Sequence, residues 1–310
     1  MHSLSKAVFK QNANAILLVE GGPLETAEQV GTLLRDTAIH GYVGGSTLER
    51  LPIEDSVAAR TLAFKSTAQQ VARRNRASLE LNEWAARHDL VGASSAAYRM
   101  FESIQRQAAR TDPVLMQGET GTPFTTLARA LHLEAGGEPD GFTSVSARHL
   151  NPTQIERRLF GSTGGSSGGL LGNVEYQTVL IDGLERLPLR LQARLARTLR
   201  LGWLNQVGER RRLPALGRLV FSARTGLEKM LSASLVEGEL ATLLATAVID
   251  VPPLRERIDD VEALLLSALK RLAPGEHVTL SPSARRALLI NDWPGNEAQL
   301  QSLAEGLIAA

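Results

Sequence analysis

Pro113-Val114-Leu115-Met116-Gln117 is a short apolar run that stops at Gly118-Glu119-Thr120-Gly121-Thr122, and residues from Thr126 to Leu133 follow with helical spacing. A buried strand, a glycine loop and a helix in that order present backbone N–H groups to an anion at the helix N-terminus. No other segment restricts the fold as strongly, because such a unit needs parallel neighbour strands and helices on the sheet. Two further runs supply the neighbours: Gln177 to Ile181, ended by Asp182-Gly183, and Arg218 to Ser222. Between them Leu189 to Leu201 reads as an amphipathic helix with Arg190, Arg194, Arg197 and Arg200 on its polar side. After Val251-Pro252-Pro253-Leu254-Arg255-Glu256-Arg257 the pattern becomes all-helical. It runs through one helix from Ile258 to Leu272, a second opened by Ser281 as N-cap and Pro282 at the first helical position, a turn at Trp293-Pro294-Gly295-Asn296, and a third from Glu297. The fold class expected is α/β, a P-loop-type parallel sheet with helices on both faces, followed by a small helical lid.

The segments before Leu90 read differently. Ala15-Ile16-Leu17-Leu18-Val19 is a short buried strand ended by Glu20-Gly21-Gly22, and Thr26 to Thr37 has helical spacing, so residues 1–55 form a short α/β segment. Val57 to Asp89 contains no glycine or proline. Val57, Phe64 and Val71 fall seven apart in it, which fits either a linker helix packed on its neighbours or a dimerising coiled coil. The domains expected are 1–55, a linker helix over 56–89, an α/β domain over 90–257 and a lid over 258–310.

Composition enters mainly by exclusion. The 310 residues carry a net charge of +1, so there is no global attraction to nucleic acid or membranes. No cysteine is present, which removes disulfides, thiolate zinc sites and cysteine nucleophiles. No apolar run approaches the length of a membrane span and no signal peptide is visible, so a cytoplasmic protein without membrane partners is expected. The arginine helix and Glu209-Arg210-Arg211-Arg212 are the exceptions to the even charge, readable as solvated faces or as contacts to DNA phosphates.

A working phosphate loop follows G-x-x-x-x-G-K-[ST]. With Gly118 as its first glycine, the second falls on Pro123, the lysine on Phe124 and the hydroxyl on Thr125. Proline lacks an N–H and fixes φ where glycine freedom is needed. Phenylalanine removes the cation that offsets the β and γ phosphates, a charge-assisted contact worth roughly 1.5–3 kcal/mol. Gly118, Gly121, Thr122 and Thr125 therefore mark a degenerate nucleotide loop, and ATP is not expected as a cofactor.

From Leu90 onward the chain resembles the central AAA+ domain of bacterial enhancer-binding proteins, the sigma-54-dependent transcription activators. The resemblance rests on Leu90-Val91-Gly92, Gly118 to Thr122, Leu127-Ala128-Arg129-Ala130-Leu131-His132, Leu159-Phe160-Gly161, Pro252 to Arg257 and Asp292-Trp293-Pro294-Gly295-Asn296, in that order. It implies a ring-forming ATPase that presses a GAFTGA loop against sigma-54. Carried over position by position, it puts Phe124 at the Walker A lysine, Asp182 and Gly183 at the Walker B aspartate and glutamate, and Arg224 at the sensor I asparagine. Glu237 and Leu243 fall at the arginine fingers and Ala298 at the sensor II arginine. Asp182 alone is left to hold a metal, although an exposed or helix-capping aspartate is the plainer reading. Where the GAFTGA loop belongs stands Ser162-Thr163-Gly164-Gly165-Ser166-Ser167-Gly168, a flexible stretch with little apolar area. The N-terminal segment resembles a shortened receiver domain, with one carboxylate, Glu20, where an acidic pair is needed, so phosphorylation is not the expected input.

The resemblance also suggests what signal remains. Some members bind cyclic di-GMP through arginines before the domain, after the phosphate loop and in the P-L-R-E-R segment. The corresponding residues are His88 with Arg87 beside it, Arg129, Arg255, Glu256 and Arg257, although the Leu254 to Arg257 segment also reads as a structural ion-pair hinge. The expected function is a non-hydrolysing transcription regulator controlled by ligand and by self-association into a dimer or larger. DNA would be reached only through a helix-turn-helix domain that follows the lid in relatives and lies outside this chain. The competing expectations are an inactive subunit that modulates an active AAA+ relative, and a residual nucleotide sensor.

Overall fold

The computed structural model describes residues 17–20, 29, 32, 41–43, 77–162, 169–173, 177–205, 207, 212–215, 217–276 and 278–309. Two compact units divide the chain, Met1–Glu80 and Leu81–Ala310. In the first, β1 (Leu18–Glu20) and β2 (Gly41–Val43) pair in parallel with Leu18 opposite Gly41, and Gln29 and Thr32 between them are helical. That is an α/β unit, as the apolar run before Glu20 indicated; Gly21 and Gly22 lie outside the described residues. Of the long helix expected over 57–89, residues 77–87 (α1) are described and helical. The division falls inside α1 rather than after Asp89, because Leu81, Trp84 and Ala85 are buried in the second unit. The Trp84 ring packs at a tilt of 53° on Phe101, centroids 5.7 Å apart, and its Nε1 donates to Glu134 at 2.7 Å.

The second unit is built on five parallel strands. They are β3 (Val114–Gln117), β4 (Phe142–Ser146), β5 (Thr178–Asp182), β8 (Arg218–Ala223) and β9 (Val248–Asp250), in the order β4-β5-β8-β3-β9. A separate antiparallel pair, β6 (Trp203–Asn205) and β7 (Arg212–Pro214), lies between β5 and β8 in sequence. Side chains alternate across the pleat. Val114, Met116, Leu180, Val220 and Ile249 enter one apolar cluster with α2 (Ser95–Ala108) and α3 (Phe124–Glu134). Leu115, Val179, Ile181, Leu219 and Phe221 enter the other with α4 (Pro152–Phe160), α5 (Leu189–Leu201), α6 (Leu227–Ser232) and α7 (Gly238–Leu244). Burial on both faces is why β3, β5 and β8 read as unbroken apolar runs. The edge strand β4 buries only Phe142 and Val145, so its Phe-Thr-Ser-Val-Ser carries no such signal.

The lid holds α8 (Val261–Leu272), α9 (Pro282–Leu289) and α10 (Asn296–Ala309) around Leu254, Val261, Leu265, Leu269, Leu288, Trp293 and Leu300. Ser281 caps α9 as expected, accepting from the Ala284 N–H at 3.2 Å. The single helix expected from Ile258 is corrected: Ile258–Asp260 is a 3-10 turn and α8 starts at Val261. The reason is Asp260, which is buried and turned toward the start of α2. Its Oδ1 accepts from the Ala93 and Ser94 N–H groups at 2.7 and 2.8 Å, and its Oδ2 accepts from Ser94 Oγ at 2.6 Å. A carboxylate at a helix N-terminus gains from those donors and from the helix dipole. No helix among the described residues is long and apolar enough to cross a membrane.

Asp260→Ala removes the acceptor of the Ala93 and Ser94 N–H groups and of the Ser94 hydroxyl, and is expected to lower the unfolding free energy by roughly 1–3 kcal/mol in urea titrations. Asp260→Asn, which keeps one acceptor oxygen, is expected to lose less.

Candidate functional site around the glycine loop

The glycine loop joins β3 to α3 at the C-terminal edge of the sheet. α3 begins at Phe124, two residues earlier than the spacing indicated, with Pro123 as its N-cap residue. The Phe124 ring is 6% exposed and belongs to the cluster of Met100, Phe101 and Leu127. The side chain at the lysine position thus points into the core instead of toward an incoming phosphate. The backbone is equally occupied. Thr122 N–H donates to Glu119 O at 3.3 Å and Phe124 N–H to Thr122 O at 3.0 Å, and Pro123 has no N–H. Three successive positions of the cradle therefore have no free donor. Thr125 stands exposed on the first turn of α3.

The lid turn closes directly on this loop. Asn296 Nδ2 donates to Thr120 O at 2.9 Å, and Ala298 N–H donates to Gly121 O at 3.1 Å. Asn296 Oδ1 meanwhile accepts from the Leu254 N–H at 2.8 Å. Gly121 has φ +84°, and a Cβ there would come 1.9 Å from Gly295 O, so both its freedom and its lack of a side chain are used. The turn is itself bent: Trp293 has φ +51° and Asn296 φ +46°. Asparagine tolerates that region, but a tryptophan there is a genuine outlier. Burial of Trp293 and donation from its Nε1 to Leu288 O at 2.9 Å hold it there.

Asp182 corrects the sequence reading. It is neither an exposed nor a capping residue. It ends β5 in register with Ser146, and its oxygens accept from Ser222 Oγ at 2.6 Å and Ser146 Oγ at 3.1 Å. Arg148 Nε lies 3.6 Å from its Oδ2, and Arg148 Nη2 donates to Glu185. The Arg148 side chain is 13% exposed and has no charge partner beyond these two carboxylates among the described residues. Gly183, at the water-orienting glutamate position, has φ +93°, and a Cβ on it would meet the Arg148 side chain at 3.3 to 3.5 Å. The other family positions are spent on structure. The Glu237 carboxylate caps α7, accepting from the Glu239 and Leu240 N–H groups at 3.1 and 2.8 Å. Leu243 packs on the apolar cluster below α7. Ala298 lies against the glycine loop.

A cavity of about 420 Å³ lies between the loop and the lid. Its walls include the apolar Leu90, Met100 and Leu264, and the polar Arg224, Arg257 and Arg271. Arg257 is buried and donates through Nη2 to Glu297, while its Nε is buried without a hydrogen-bond acceptor. A second, wider cleft of about 670 Å³ is lined by Arg99, Arg106, Arg224 and Lys229 with Asp250 and Glu256.

The residues implied for cyclic di-GMP do not converge, and that grouping is corrected. Arg257 faces the first cavity and Glu256 the second. Arg255 is held by Glu119 through two hydrogen bonds of 2.7 Å. Arg129 lies exposed over the Phe142 ring at 5.1 Å. His88 packs at a tilt against the Trp84 ring, centroids 4.8 Å apart, with its Nε2 3.4 Å from Glu134, and Arg87 is exposed on α1. The alternative reading, an ion-pair hinge at Leu254 to Arg257, matches the Arg255–Glu119 and Arg257–Glu297 pairs. Sequence reasoning missed Arg148, which only the β4–β5 register brings to Asp182. It also missed Asp260 and the reach of Asn296, although the Trp-Pro-Gly-Asn turn flagged the latter. The Gly/Ser stretch 163–168 lies outside the described residues.

Comparison with known proteins follows the same outline. A family model described as the sigma-54 interaction domain matches residues 90–250, and one described as phosphoenolpyruvate hydrolase-like matches residues 1–67. The chain is 26% identical over 81% of its length to the Nif-specific regulatory protein of Herbaspirillum seropedicae, covering 47% of that protein. It is 30% identical over 71% of its length to the C4-dicarboxylate transport transcriptional regulatory protein DctD of Pseudomonas aeruginosa, covering 51%. It thus spans about half the length of the curated relatives it matches. The crystal structure of NtrX from Brucella abortus in complex with ADP superimposes with a TM-score of 0.65 at 22% identity, over 99% of this chain and 69% of that one, a likeness of fold. The parallel sheet with its helical lid is the AAA+ P-loop architecture expected from the sequence.

Two outcomes test this geometry. Arg148→Ala uncovers the Asp182 and Glu185 carboxylates. It is expected to lower the melting temperature and to make the variant, unlike the parent, gain stability from millimolar magnesium. The Arg255 guanidinium holds the Glu119 carboxyl below its ordinary range, chiefly by hydrogen bonding, with slight burial opposing it. A depressed carboxylate contributes stability above its unfolded value and loses it as pH falls through the folded value. Glu119→Gln should therefore differ from the parent in urea midpoint at about pH 7, and the two should converge below about pH 4, with salt reducing the gap.

Proposed function

We propose that this chain, which belongs to the sigma-54 interaction domain family, is a cytoplasmic transcription regulator that does not hydrolyse ATP and responds instead to a ligand and to self-association. The observation that carries the reading is the pairing of a buried Phe124 at the position of the phosphate-binding cation with an Asp182 that accepts from two serine hydroxyls and shares the Arg148 guanidinium with Glu185. A magnesium triphosphate brings several negative charges and a cation that demands octahedral oxygen ligands. The residues present do not fit it. The cradle has no lysine, three of its positions offer no N–H, and the remaining carboxylate is engaged by two hydroxyls and a guanidinium. No hydrolytic step is derived through it.

Ligand control is read onto the cavity between loop and lid. Apolar walls with a few convergent polar groups are what a small-molecule site requires, and the unsatisfied Nε of Arg257 supplies a donor for an anionic group. Cyclic di-GMP is one ligand of this reading, taken there by Arg257, Arg224 and Arg271 in place of the dispersed set. Because the lid turn hydrogen-bonds the loop forming one wall, occupancy would change how the lid sits, a route from ligand to assembly. A second reading, an inactive subunit joining an active relative, is favoured by Glu237 and Leu243, since such a subunit gives its neighbour no arginine finger.

The purified chain is expected to release no phosphate from ATP above a boiled control, and Phe124→Lys alone is not expected to restore turnover. Turnover that vanishes in Asp182→Ala would overturn the reading. Thermal-shift titration with ATP and magnesium, mononucleotides and cyclic di-GMP tests the ligand: a rise in melting temperature abolished by Arg257→Met is expected for the true one.

A further inference from the structure

α4 and α5 lie on the sheet face opposite α2 and α3, and together they hold six arginines against one glutamate in a chain whose net charge is +1. Glu156 joins the two helices. Its Oε1 accepts from Arg194 Nη1 at 2.6 Å, and its Oε2 lies 3.6 Å from Arg190 Nη2. The Arg194 guanidinium also sits 3.9 Å from the centre of the Phe160 ring and donates to Asn205 O. Arg194 and Glu156 thus cancel one another in the seam, and Arg200 is paired with Glu239 at 3.2 Å.

What remains is unbalanced. Arg157, Arg158 and Arg197 are exposed with no carboxylate partner among the described residues, and Arg190 is 86% exposed with only a distant share of Glu156. The buried side of α5 is Leu191, Leu195 and Ala196, so Arg190, Arg194 and Arg197 stand at i, i+4 and i+7 on its outer side, spanning about 10 Å. Three like charges without a carboxylate partner, and a fourth, Arg190, that shares Glu156 with Arg194, repel one another across the two helices. Large apolar residues are exposed only at the ends of α5, at Leu189 and Leu201, whereas a protein-binding face has its apolar and aromatic residues at the centre. Phe160 is buried beneath Arg194, and Trp203 is the one partly exposed aromatic ring bordering this face among the described residues, so they offer no platform for stacking unpaired bases.

We propose that α4 and α5 form a contact surface for the phosphate backbone of double-stranded DNA, on the α/β domain itself and without base recognition. Guanidinium forks suit phosphate oxygens, and a duplex offers phosphates at closely spaced intervals along any line the helices follow. The regulator reading above serves only to choose DNA over RNA; the inference does not depend on the loss of hydrolysis, and the two are tested by different assays.

The test is fluorescence anisotropy of the full chain with short labelled duplexes of two unrelated sequences. Both should bind equally, and the affinity should fall about a hundredfold between about 50 and 200 mM salt, as for about four phosphate contacts. The doubles Arg157→Ser with Arg158→Ser, and Arg190→Ser with Arg197→Ser, should each weaken binding and flatten the salt slope by about two. Arg285→Ser with Arg286→Ser on α9 removes the same charge from the lid and should leave both unchanged, and melting curves of all three doubles should show folded protein. No binding at low salt, equal loss in the α9 double, tighter binding of duplex RNA, or preference for polyglutamate over DNA would each overturn the proposal, the last by assigning the face to an acidic protein.

Discussion

Asn296 holds three segments of the second unit with one side chain. Its amide donates to Thr120 O in the glycine loop and its oxygen accepts from Leu254 N–H at the start of the hinge, while its own backbone opens α10. Each hydrogen bond contributes about 1 kcal/mol net, but losing them strands polar groups in a buried place. The approach it enforces is so close that Gly121 and Gly295 meet backbone to backbone. The neighbouring contacts presuppose it. Ala298 N–H reaches Gly121 O, Arg257 meets Glu297, and Trp293 accepts an unfavourable φ to bring the turn into place. Asp260 performs the matching task at the other end of the lid, binding it to the first turn of α2.

Loop and lid are therefore joined through the chain's own atoms. Arg148 brings a fixed cation to two carboxylates in a largely buried site, and a paired charge there is far less costly than an isolated one. Phe124 completes the pattern by turning the start of α3 into core. The cavity between loop and lid lies beside this joint.

Charge is distributed with similar economy. On the second sheet face Arg194 and Glu156 fasten two helices, and Glu237 and Glu239 serve a cap and an ion pair. Of the cations left over, one group lies on α4 and α5, and another, Arg99, Arg106, Arg224 and Lys229, lines the second cleft. The even net charge of the whole chain conceals this separation.

The sequence by itself determined the parallel sheet, because β3, β5 and β8 are buried on both faces and must be apolar without interruption. It also determined that position 124 carries no charge, that Ser281 and Pro282 open a helix, and that Trp293 to Asn296 is a turn; these depend on residue identity and short-range chemistry. The edge strand β4 escaped because half-burial leaves no apolar run. Only the tertiary structure decided what the charged residues do. Arg148 and Asp182 are 34 positions apart and meet through strand register. Arg129, Arg255 and Arg257, grouped by motif, point to different surroundings because α3 carries the first and successive turns of the hinge aim the other two to different sides. Pairing between distant side chains is set by packing geometry, which local sequence pattern does not encode.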